Sequence, residues 1–406
     1  MWILGIETSC DETAAAVIEI TGPKVRPRIS ILSNVISSQA KLHAKFGGVV
    51  PNLAKREHQK NLVPILLHAL CDAGLWELRT KNRELRKPRQ YGRDSKFLIL
   101  NSILERESEL LAQVEKKVLP LRPPKIDAIA VTVGPGLAPA LWVGVNFARA
   151  LAYIWKKPII PVNHLEGHIY TNLLGQIGKL KTQNSKLKTF EFPVLCLIVS
   201  GGHTELVLMH GYRKYKIIGE TLDDAAGEAF DKVAKMLGLG FPGGPEIAAH
   251  AAKVKTKSEK LKIKLPRPMI NADNFDFSFS GLKTAVLYAL RDLTVKFPLA
   301  KIRSVMAREF QNAVVDVLVS KTIKAAKRYK VKTVMIGGGV AANQKLRAEL
   351  GKALKHSSPG TCYLTPDPSL TGDNALMIAL AGYFSRNKKT AWRVLQADAN
   401  LRLGRS

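Results

Sequence analysis

Two histidines spaced four residues apart are the first feature of the sequence that could do chemistry. His164 and His168 would lie on one face of a helix, at the spacing by which two imidazoles bind a single metal ion. The segment lacks the glutamate directly after its first histidine that H-E-x-x-H peptidases use as a general base, so a peptidase is disfavoured. Two unrelated helix histidines are the alternative interpretation, and a metal site needs a third ligand from elsewhere.

A carboxylate that could complete this ligand set stands far downstream, at a predicted helix start. By itself, Asp373 would more often be a helix cap, but together with the histidine pair it becomes a candidate ligand. Asp373 lies across the domain boundary predicted below. We therefore expect the metal ion in a cleft between two domains.

Two glycine turns predict a nucleotide in the same cleft. Ser200, Gly201 and Gly202 separate two apolar strands, where backbone N–H groups can approach a phosphate, although an ordinary hairpin turn is the alternative. The second turn, 337–343, follows a strand and precedes a helix, so it presents helix-terminal N–H groups and the Asn343 side chain. It is not a G-x-G-x-x-G motif, which disfavours a dinucleotide fold. Gly243 and Gly244 add a third turn to the predicted cleft.

Acidic side chains concentrate at two further places. Asp11 and Glu12 lie at the tip of a predicted hairpin over residues 3–20. A helix is predicted over 223–237, and in it Asp224, Glu228 and Asp231 would share one face, for which a solvated acidic surface is the alternative. If Asp231 faces the cleft, it could accept hydrogen bonds from a ribose or another hydroxyl group.

Strands alternate with helices along the chain, which predicts an α/β fold. Residues 195–209 repeat the strand, turn and strand of residues 3–20, and such duplication is expected of a two-domain actin/Hsp70-like fold with an interdomain nucleotide cleft. We predict an N-terminal domain over 1–190, completed by a C-terminal helix over about 374–406, and a C-terminal domain over 191–373. A region of about 76–123, basic at first and then amphipathic over 97–119, is predicted to be an insertion.

Composition favours a polyanionic partner and a reducing compartment. Sixty-two Lys and Arg against 33 Asp and Glu give a formal charge of +29, for which nucleic acid is one explanation and a solvated basic surface another. The four cysteines are far apart, and the N-terminal segment reaches acids too early for a signal peptide, so we expect a cytoplasmic protein. The uncharged stretch 128–145 contains Pro135 and Pro139, which argues against a membrane span.

Ten segments, in order along the chain, resemble the tRNA adenosine threonylcarbamoyltransferase family in its bacterial form. They are GIETSCDETAAAV, FGGVVPNLAKREH, TVGPGLAPALWVG, PVNHLEGHIY, LIVSGGHTELV, DDAAGEAFDKVAKMLGL, FPGG, FSFSGLKTAV, IGGGVAANQKLR and GDNALMIA. The resemblance implies an actin/Hsp70-type fold and one divalent ion, iron or zinc, held by His164, His168 and Asp373. It also implies a site for threonylcarbamoyl-AMP, contacted by Ile198, Val199, Ser200, Gly201, Gly202, Asp231, Gly244 and Asn343.

The reaction implied by the resemblance is transfer of the threonylcarbamoyl group to N6 of adenosine 37 in tRNAs that read ANN codons. An aromatic amine is a poor nucleophile, so we expect the metal to polarise the carbamoyl or phosphate oxygen of the donor, and Asp11 and Glu12 to orient the reactants. The expected protein partners are a paralogous actin-like subunit and a P-loop ATPase. The alternative is a non-catalytic paralogous scaffold subunit, but such proteins have lost the metal histidines.

Departures from the family pattern are local. Thr371 stands where a cysteine is common, and Ala375 where a glycine is frequent, and neither change removes a ligand. The 76–123 region is the larger departure. We predict that its basic part, Arg79 to Lys96, contacts tRNA phosphates or a partner, with a disordered solvated loop as the alternative.

Overall fold

A computed structural model describes residues 1–22, 27–76, 95–174, 185–254 and 261–404. In these residues six strands form a first sheet, in the order β5-β4-β1-β2-β3-β6. The strands are Trp2–Glu7 (β1), Glu12–Thr21 (β2), Arg28–Ser38 (β3), Ala128–Gly134 (β4), Ile159–Asn163 (β5) and Ser185–Lys186 (β6). Because β1 pairs antiparallel with β2 and parallel with β4, the sheet is mixed.

Five further strands of the described chain form a second mixed sheet, in the order β11-β10-β7-β8-β9. They are Val194–Val199 (β7), Thr204–Gly211 (β8), Lys214–Glu220 (β9), Thr333–Gly337 (β10) and Cys362–Leu364 (β11). Strand β7 pairs antiparallel with β8 and parallel with β10, as β1 does with β2 and β4. The α/β class and the two matching hairpins predicted from the sequence are confirmed.

The α-helices of the described residues cover and separate the sheets. They are Ala40–Ala44 (α1), Pro51–Asp72 (α2), Ser95–Ile103 (α3), Ser108–Gln113 (α4), Ala138–Trp155 (α5), His164–Tyr170 (α6), Ala226–Met236 (α7), Gly243–Ala252 (α8), Ser280–Thr294 (α9), Leu299–Arg328 (α10), Gln344–Ser357 (α11) and Ala375–Phe384 (α12). Within these ranges, no helix combines the length and hydrophobicity that crossing a membrane requires.

One apolar cluster joins the inner faces of both sheets through α6 and α12. It includes Ile3 and Ile18 from the first sheet and Cys196 and Ile198 from the second, all of them buried. Every residue of α6 is buried, as is every residue of α12 but Phe384, so both helices lie inside the protein. Burial of this apolar surface holds the first turns of α6 and α12 in place. The candidate metal ligands lie on α6 and just before α12, so the same packing positions them.

The second half of the predicted insertion belongs to a second apolar cluster, on the other face of the first sheet. Leu100, Leu104, Leu110 and Val114 are all fully buried in that cluster. The single amphipathic helix expected over 97–119 is wrong: the chain breaks after α3, where the buried Glu107 turns inward and accepts a hydrogen bond from Asn146 Nδ2 at 3.2 Å. The basic run predicted to contact tRNA or a partner lies, up to residue 94, outside the described residues.

Two other predicted helix boundaries are wrong. Helix α7 begins at Ala226, so Asp224 precedes it and pairs with Lys232 and Lys283 instead of sharing a face with Glu228 and Asp231. The C-terminal helix, predicted to about residue 406, ends at Phe384. Beyond it the chain bonds back to the first sheet, where Thr390 pairs with Ile159, and such long-range pairing replaces further helix.

The second sheet carries a buried carboxylate that predicts a pH-dependent stability. Glu205 on β8 lies directly opposite Glu220 on β9. Arg402 donates two hydrogen bonds to Glu220, at 2.8 and 2.7 Å. Glu205 Oε2 is buried without a partner in the described structure. Burial, with the Glu220 charge, raises the pKa of Glu205 to about 7.

Replacing Glu205 by glutamine should therefore stabilise the protein at pH 8. A carboxyl whose folded pKa exceeds its unfolded value contributes stability below the unfolded pKa, and that contribution is lost as pH rises through the folded pKa. The gain expected for Glu205→Gln at pH 8 is at most about 3 kcal/mol, and it should vanish near pH 4.5. Denaturant unfolding at both pH values checks this, and an equal gain at both would contradict it.

Candidate metal and nucleotide site

A cavity of about 1750 Å³ lies between the two halves of the protein, large enough for a nucleotide and part of a second substrate. Both hairpin tips reach it, together with α7, the start of α8, α10, the turn before α11 and the segment before α12. Its walls include Ser9, Cys10, Asp11, Glu12, Gly47, Gly48, Val49, His164, Ser200, Gly201, Gly202, His203, Asp231, Gly244, Gln311, Asn343 and Asp373.

The structure brings together the three residues predicted to be metal ligands. His164 and His168 lie one turn apart on α6, and Asp373 lies two residues before α12. Asp373 Oδ1 is 3.3 Å from His164 Nε2 and 3.2 Å from His168 Nε2. One potential ligand atom from each of the three residues lies within 4.8 Å of the other two. Two imidazole nitrogens and a carboxylate oxygen that converge in this way form a donor set typical of a divalent first-row metal.

Two polar atoms at this cluster lack hydrogen bonds. His168 is fully buried, and neither Nδ1 nor Nε2 has a hydrogen-bond partner in the described structure. A buried polar atom without a hydrogen bond is destabilising. A cation bound near Asp373 would give His168 Nε2 a partner. Burial raises the pKa of Asp373, but the adjacent His164 and His168 rings outweigh burial and hold that pKa well below its ordinary value. The carboxylate is therefore ionised and attracts a cation.

Glu7 orients His164, and the sequence reasoning missed it. Glu7 is fully buried at the end of β1, where it accepts hydrogen bonds from the Ser9 N–H and from Thr132 Oγ1. Its Oε2 is 3.2 Å from His164 Nδ1. With the proton on Nδ1 facing Glu7, the lone pair of His164 Nε2 faces Asp373, as metal binding requires. The available signal was an acid ending an otherwise apolar strand.

The glycine turns present open backbone to the cavity. A Cβ placed on Gly201, Gly202, Gly244 or Gly339 would meet no atom within 4 Å. Gly338 is different: its φ is +90°, and a Cβ there would collide with the Val199 carbonyl oxygen, so this glycine shapes the turn itself. The backbone N–H groups of these turns can therefore approach a bound phosphate closely.

Of the other predicted substrate contacts, some line the cavity and some do not. Ser200, Asp231 and Asn343 line the cavity, whereas the side chains of Ile198 and Val199 are buried in the apolar cores. Strand alternation sends these two side chains to opposite faces of the second sheet, so they could contact a ligand only through their backbone.

Asp231 and Asn343 already have partners within the protein. Asp231 accepts a hydrogen bond from the Gly243 N–H at 2.7 Å, which ties α7 to the start of α8. Asn343 accepts from the Leu346 N–H and donates to Gln311 Oε1 at 2.9 Å. Each keeps spare hydrogen-bonding capacity beside the cavity, because a carboxylate has two acceptor oxygens and an amide has two donor hydrogens. Gln311 also lines the cavity and was not predicted.

The carboxylates at the first hairpin tip lie on the cavity wall near the metal cluster. Glu12 accepts a hydrogen bond from Ser38 Oγ at 3.0 Å. Burial, followed by the charges of Asp373 and Asp11, raises the pKa of Glu12 to about 9. His203, which the sequence reasoning did not single out, faces the same region. Burial and the two ligand histidines lower its pKa to about 4, so His203 is a neutral group on this wall.

Comparisons with known proteins support one family. The model of the family described as tRNA N6-adenosine threonylcarbamoyltransferase matches residues 30–77 and 108–380, which narrows the predicted insertion to 78–107. A protein of that name from Thermomicrobium roseum is 43% identical, over 99% of this chain and 95% of that protein. The Bacillus subtilis protein of that name is 41% identical, over 96% and 91%. Among solved structures, HypF of T. kodakarensis aligns with a TM-score of 0.45 at 15% identity, over 71% of this chain and 44% of that one. The chain belongs to the tRNA N6-adenosine threonylcarbamoyltransferase family.

Proposed function

We propose that the protein transfers the threonylcarbamoyl group from threonylcarbamoyl-AMP to N6 of adenosine 37 in tRNAs that read ANN codons. The observation that carries this proposal is the convergence of His164, His168 and Asp373 beside the cavity that the glycine turns line. The family to which the chain belongs supports the reaction type. A non-catalytic scaffold subunit, the alternative, would have no need of this ligand set.

Different residues of the cavity would have different roles in the reaction. The glycine turns at 200–202 and 337–343 would hold the adenylate phosphate through backbone N–H groups. Transfer forms a bond from adenosine N6 to the carbamoyl carbon, breaks the bond from that carbon to the phosphate oxygen, and releases AMP and one proton. Asp11 and Glu12 would orient the amine, and Asp11 would receive that proton, since a pKa of about 9 leaves Glu12 protonated at neutral pH. Since the amine is a poor nucleophile, most of the rate must come from orientation and from electrostatic stabilisation.

We further propose one divalent ion, iron or zinc, held by His164, His168 and Asp373. Bound there, it would act as a Lewis acid that polarises a carbamoyl or phosphate oxygen of the substrate. The support for this proposal is the donor set itself, the two unpartnered nitrogens of His168, and the orientation that Glu7 imposes on His164. The donor set suits either metal.

Replacing Glu7 by glutamine should weaken metal binding without unfolding the protein. The amide keeps the size of Glu7, but it lacks the negative charge and must direct an N–H group at Ser9, Thr132 or His164, all of which now donate to Glu7. Loss of such an outer partner lowers metal affinity by about 10- to 100-fold. Metal titration of the purified variant measures this directly. Glu109→Gln, an exposed change on α4, is the control, and equal affinities in the two variants would refute the role of Glu7.

The finer features of the assignment are also proposals. The actin/Hsp70-like fold is supported by the equivalent placement of β1 and β7 in their sheets. A paralogous actin-like subunit and a P-loop ATPase, as well as a cytoplasmic location, remain predictions from the family resemblance and the composition.

The deciding experiment measures transfer of labelled threonylcarbamoyl from its adenylate to unmodified tRNA. Label is expected on a tRNA that reads ANN codons and carries adenosine at position 37. The matched substrate is the same tRNA with guanosine at that position, which has no N6 amine to accept the group. Equal labelling of both tRNAs, or none of the first by the metal-loaded protein with its partners present, would refute the proposal.

A further inference from the structure

The proposed reaction makes no use of a group of buried polar side chains beside the first hairpin tip. They are Thr13 on β2, Gln39 before α1, His43 on α1 and His58 on α2. His43 and His58 are both fully buried. We propose that these residues form a neutral hydrogen-bond relay that positions two walls of the cavity, the hairpin tip and the Gly47–Val50 loop. The functional part of this inference rests on the proposed transferase activity.

One end of the relay is a carbonyl group. His58 Nε2 is 3.0 Å from the Cys10 carbonyl oxygen, which can only accept a hydrogen bond, so His58 Nε2 carries the proton. His58 Nδ1 is then the acceptor in the neutral ring. Thr13 Oγ1 donates to it at 2.8 Å.

The other end is an N–H group. The Val50 N–H donates to His43 Nδ1 at 3.3 Å, so in the neutral ring His43 Nε2 carries the proton. His43 Nε2 donates in turn to Gln39 Oε1 at 3.1 Å. This assignment places the Gln39 amide nitrogen toward His58 Nδ1, at 3.5 Å. Fixed groups at both ends therefore determine the tautomer of both rings and the orientation of the amide.

The relay acts on the hairpin tip from two directions. His58 holds the Cys10 carbonyl, and the Gln39 N–H donates to the Asp11 carbonyl at 2.9 Å. Consecutive peptide groups are thus fixed from α2 and from the segment before α1. With the backbone held at Cys10 and Asp11, the side chains of Asp11 and Glu12 lie on the cavity wall.

The relay acts on the second wall through His43. Gly47, Gly48 and Val49 line the cavity, and the peptide N–H that ends this loop, that of Val50, is bound by His43 Nδ1. A proton added to His43 Nδ1 would place two donors against each other, and the peptide N–H cannot reverse. A proton added to His58 Nδ1 would face the Thr13 hydroxyl, which could accept a hydrogen bond from it only after rotating. The relay therefore requires neutral rings.

The groups around His58 have opposing effects on its pKa, and burial has the largest effect. Burial lowers the pKa of His58, and the His43 ring acts in the same direction. The Cys10 carbonyl and the charges of Glu7 and Asp11 act the other way. The ring is thus neutral at neutral pH, as the hydrogen-bond pattern requires.

Substitutions at His58 test whether the relay positions the tip. His58→Leu removes the hydrogen bonds of both ring nitrogens, whereas His58→Gln keeps a donor near the position of Nε2. A misplacement of about 1 Å at a reacting group lowers a rate by about 100-fold. We expect a fall of about that size in kcat for His58→Leu, with unchanged metal content, and recovery to within about 10-fold of the wild-type kcat in His58→Gln. His68→Leu, at a 61% exposed side chain on the same helix, is the control and should leave kcat unchanged.

Two further measurements keep the test decisive. If His58→Leu does not fold, Thr13→Val, which removes a hydroxyl without changing side-chain size, should lower kcat by about 10-fold. Nitrogen NMR of the two histidine rings reports their tautomers without any assay, so the relay is tested even if no transfer activity is found. Both rings should carry their proton on Nε2 at neutral pH. A proton on Nδ1 of either ring would overturn the relay, and a folded His58→Leu variant with wild-type kcat would overturn its functional role.

Discussion

Replacing His168 by alanine is expected to remove the metal ion and to reduce threonylcarbamoyl transfer by at least about 1,000-fold, comparable to losing a key electrostatic contact in an active site. Loss of one outer-shell partner lowers metal affinity by about 10- to 100-fold, and loss of a direct ligand should lower it further. The folded state should survive, because the change deletes two buried nitrogens that have no hydrogen-bond partner in the described structure. Metal content and single-turnover transfer rates of the purified variant check both expectations.

His210→Ala is the matched control, since His210 is exposed near the end of β8 and lies outside the cavity wall. It should retain metal and activity. His164→Ala should resemble His168→Ala in both measurements, because both imidazoles face Asp373. Full transfer activity in either ligand variant after removal of free metal would reject the metal assignment. Reloading the metal-free wild type with iron or with zinc alone then identifies the ion that restores the rate.

The sequence predicted much of this site because its chemistry lies where regular elements begin and end. Apolar periodicity located the strands, and the glycine turns and candidate ligands follow or precede them directly. His164 and His168 could be paired from their spacing, and the family resemblance assigned Asp373, a candidate from its residue type, as the third ligand. The two hairpins could be recognised as equivalent for the same reason.

Features that depend on distant partners could not be predicted in this way. Glu7 turns inward because Ser9, Thr132 and His164 donate to it, and no local pattern contains those contacts. His58 lies on α2, and its ring is buried by contacts with the hairpin tip and Gln39, which are distant in sequence. The same limit explains the error at Asp224, which precedes α7 and pairs with lysines.

Replacing Gly5 by alanine is expected to destabilise the protein by about 3 kcal/mol or more, a large fraction of the stability of a typical domain. Gly5 lies in the middle of β1, where α12 crosses the first sheet. An added Cβ would collide with the Ala375 carbonyl oxygen and lie 2.9 Å from the Ala379 backbone nitrogen. Because both atoms belong to the backbone of α12, no side-chain rotation can relieve the overlap.

The displacement of α12 should also reach the metal site. Asp373 lies two residues before Ala375, so moving the start of the helix away from β1 moves this carboxylate relative to His164 and His168. We therefore expect Gly5→Ala to lower both the midpoint of thermal unfolding and the metal affinity of the folded fraction. Gly281→Ala, at an exposed position of α9 where an added Cβ meets no atom within 4 Å, should leave both unchanged or raise stability by up to about 1 kcal/mol. If the two alanine variants unfold at the same temperature and bind metal equally well, α12 does not set the position of Asp373 through its contact with β1.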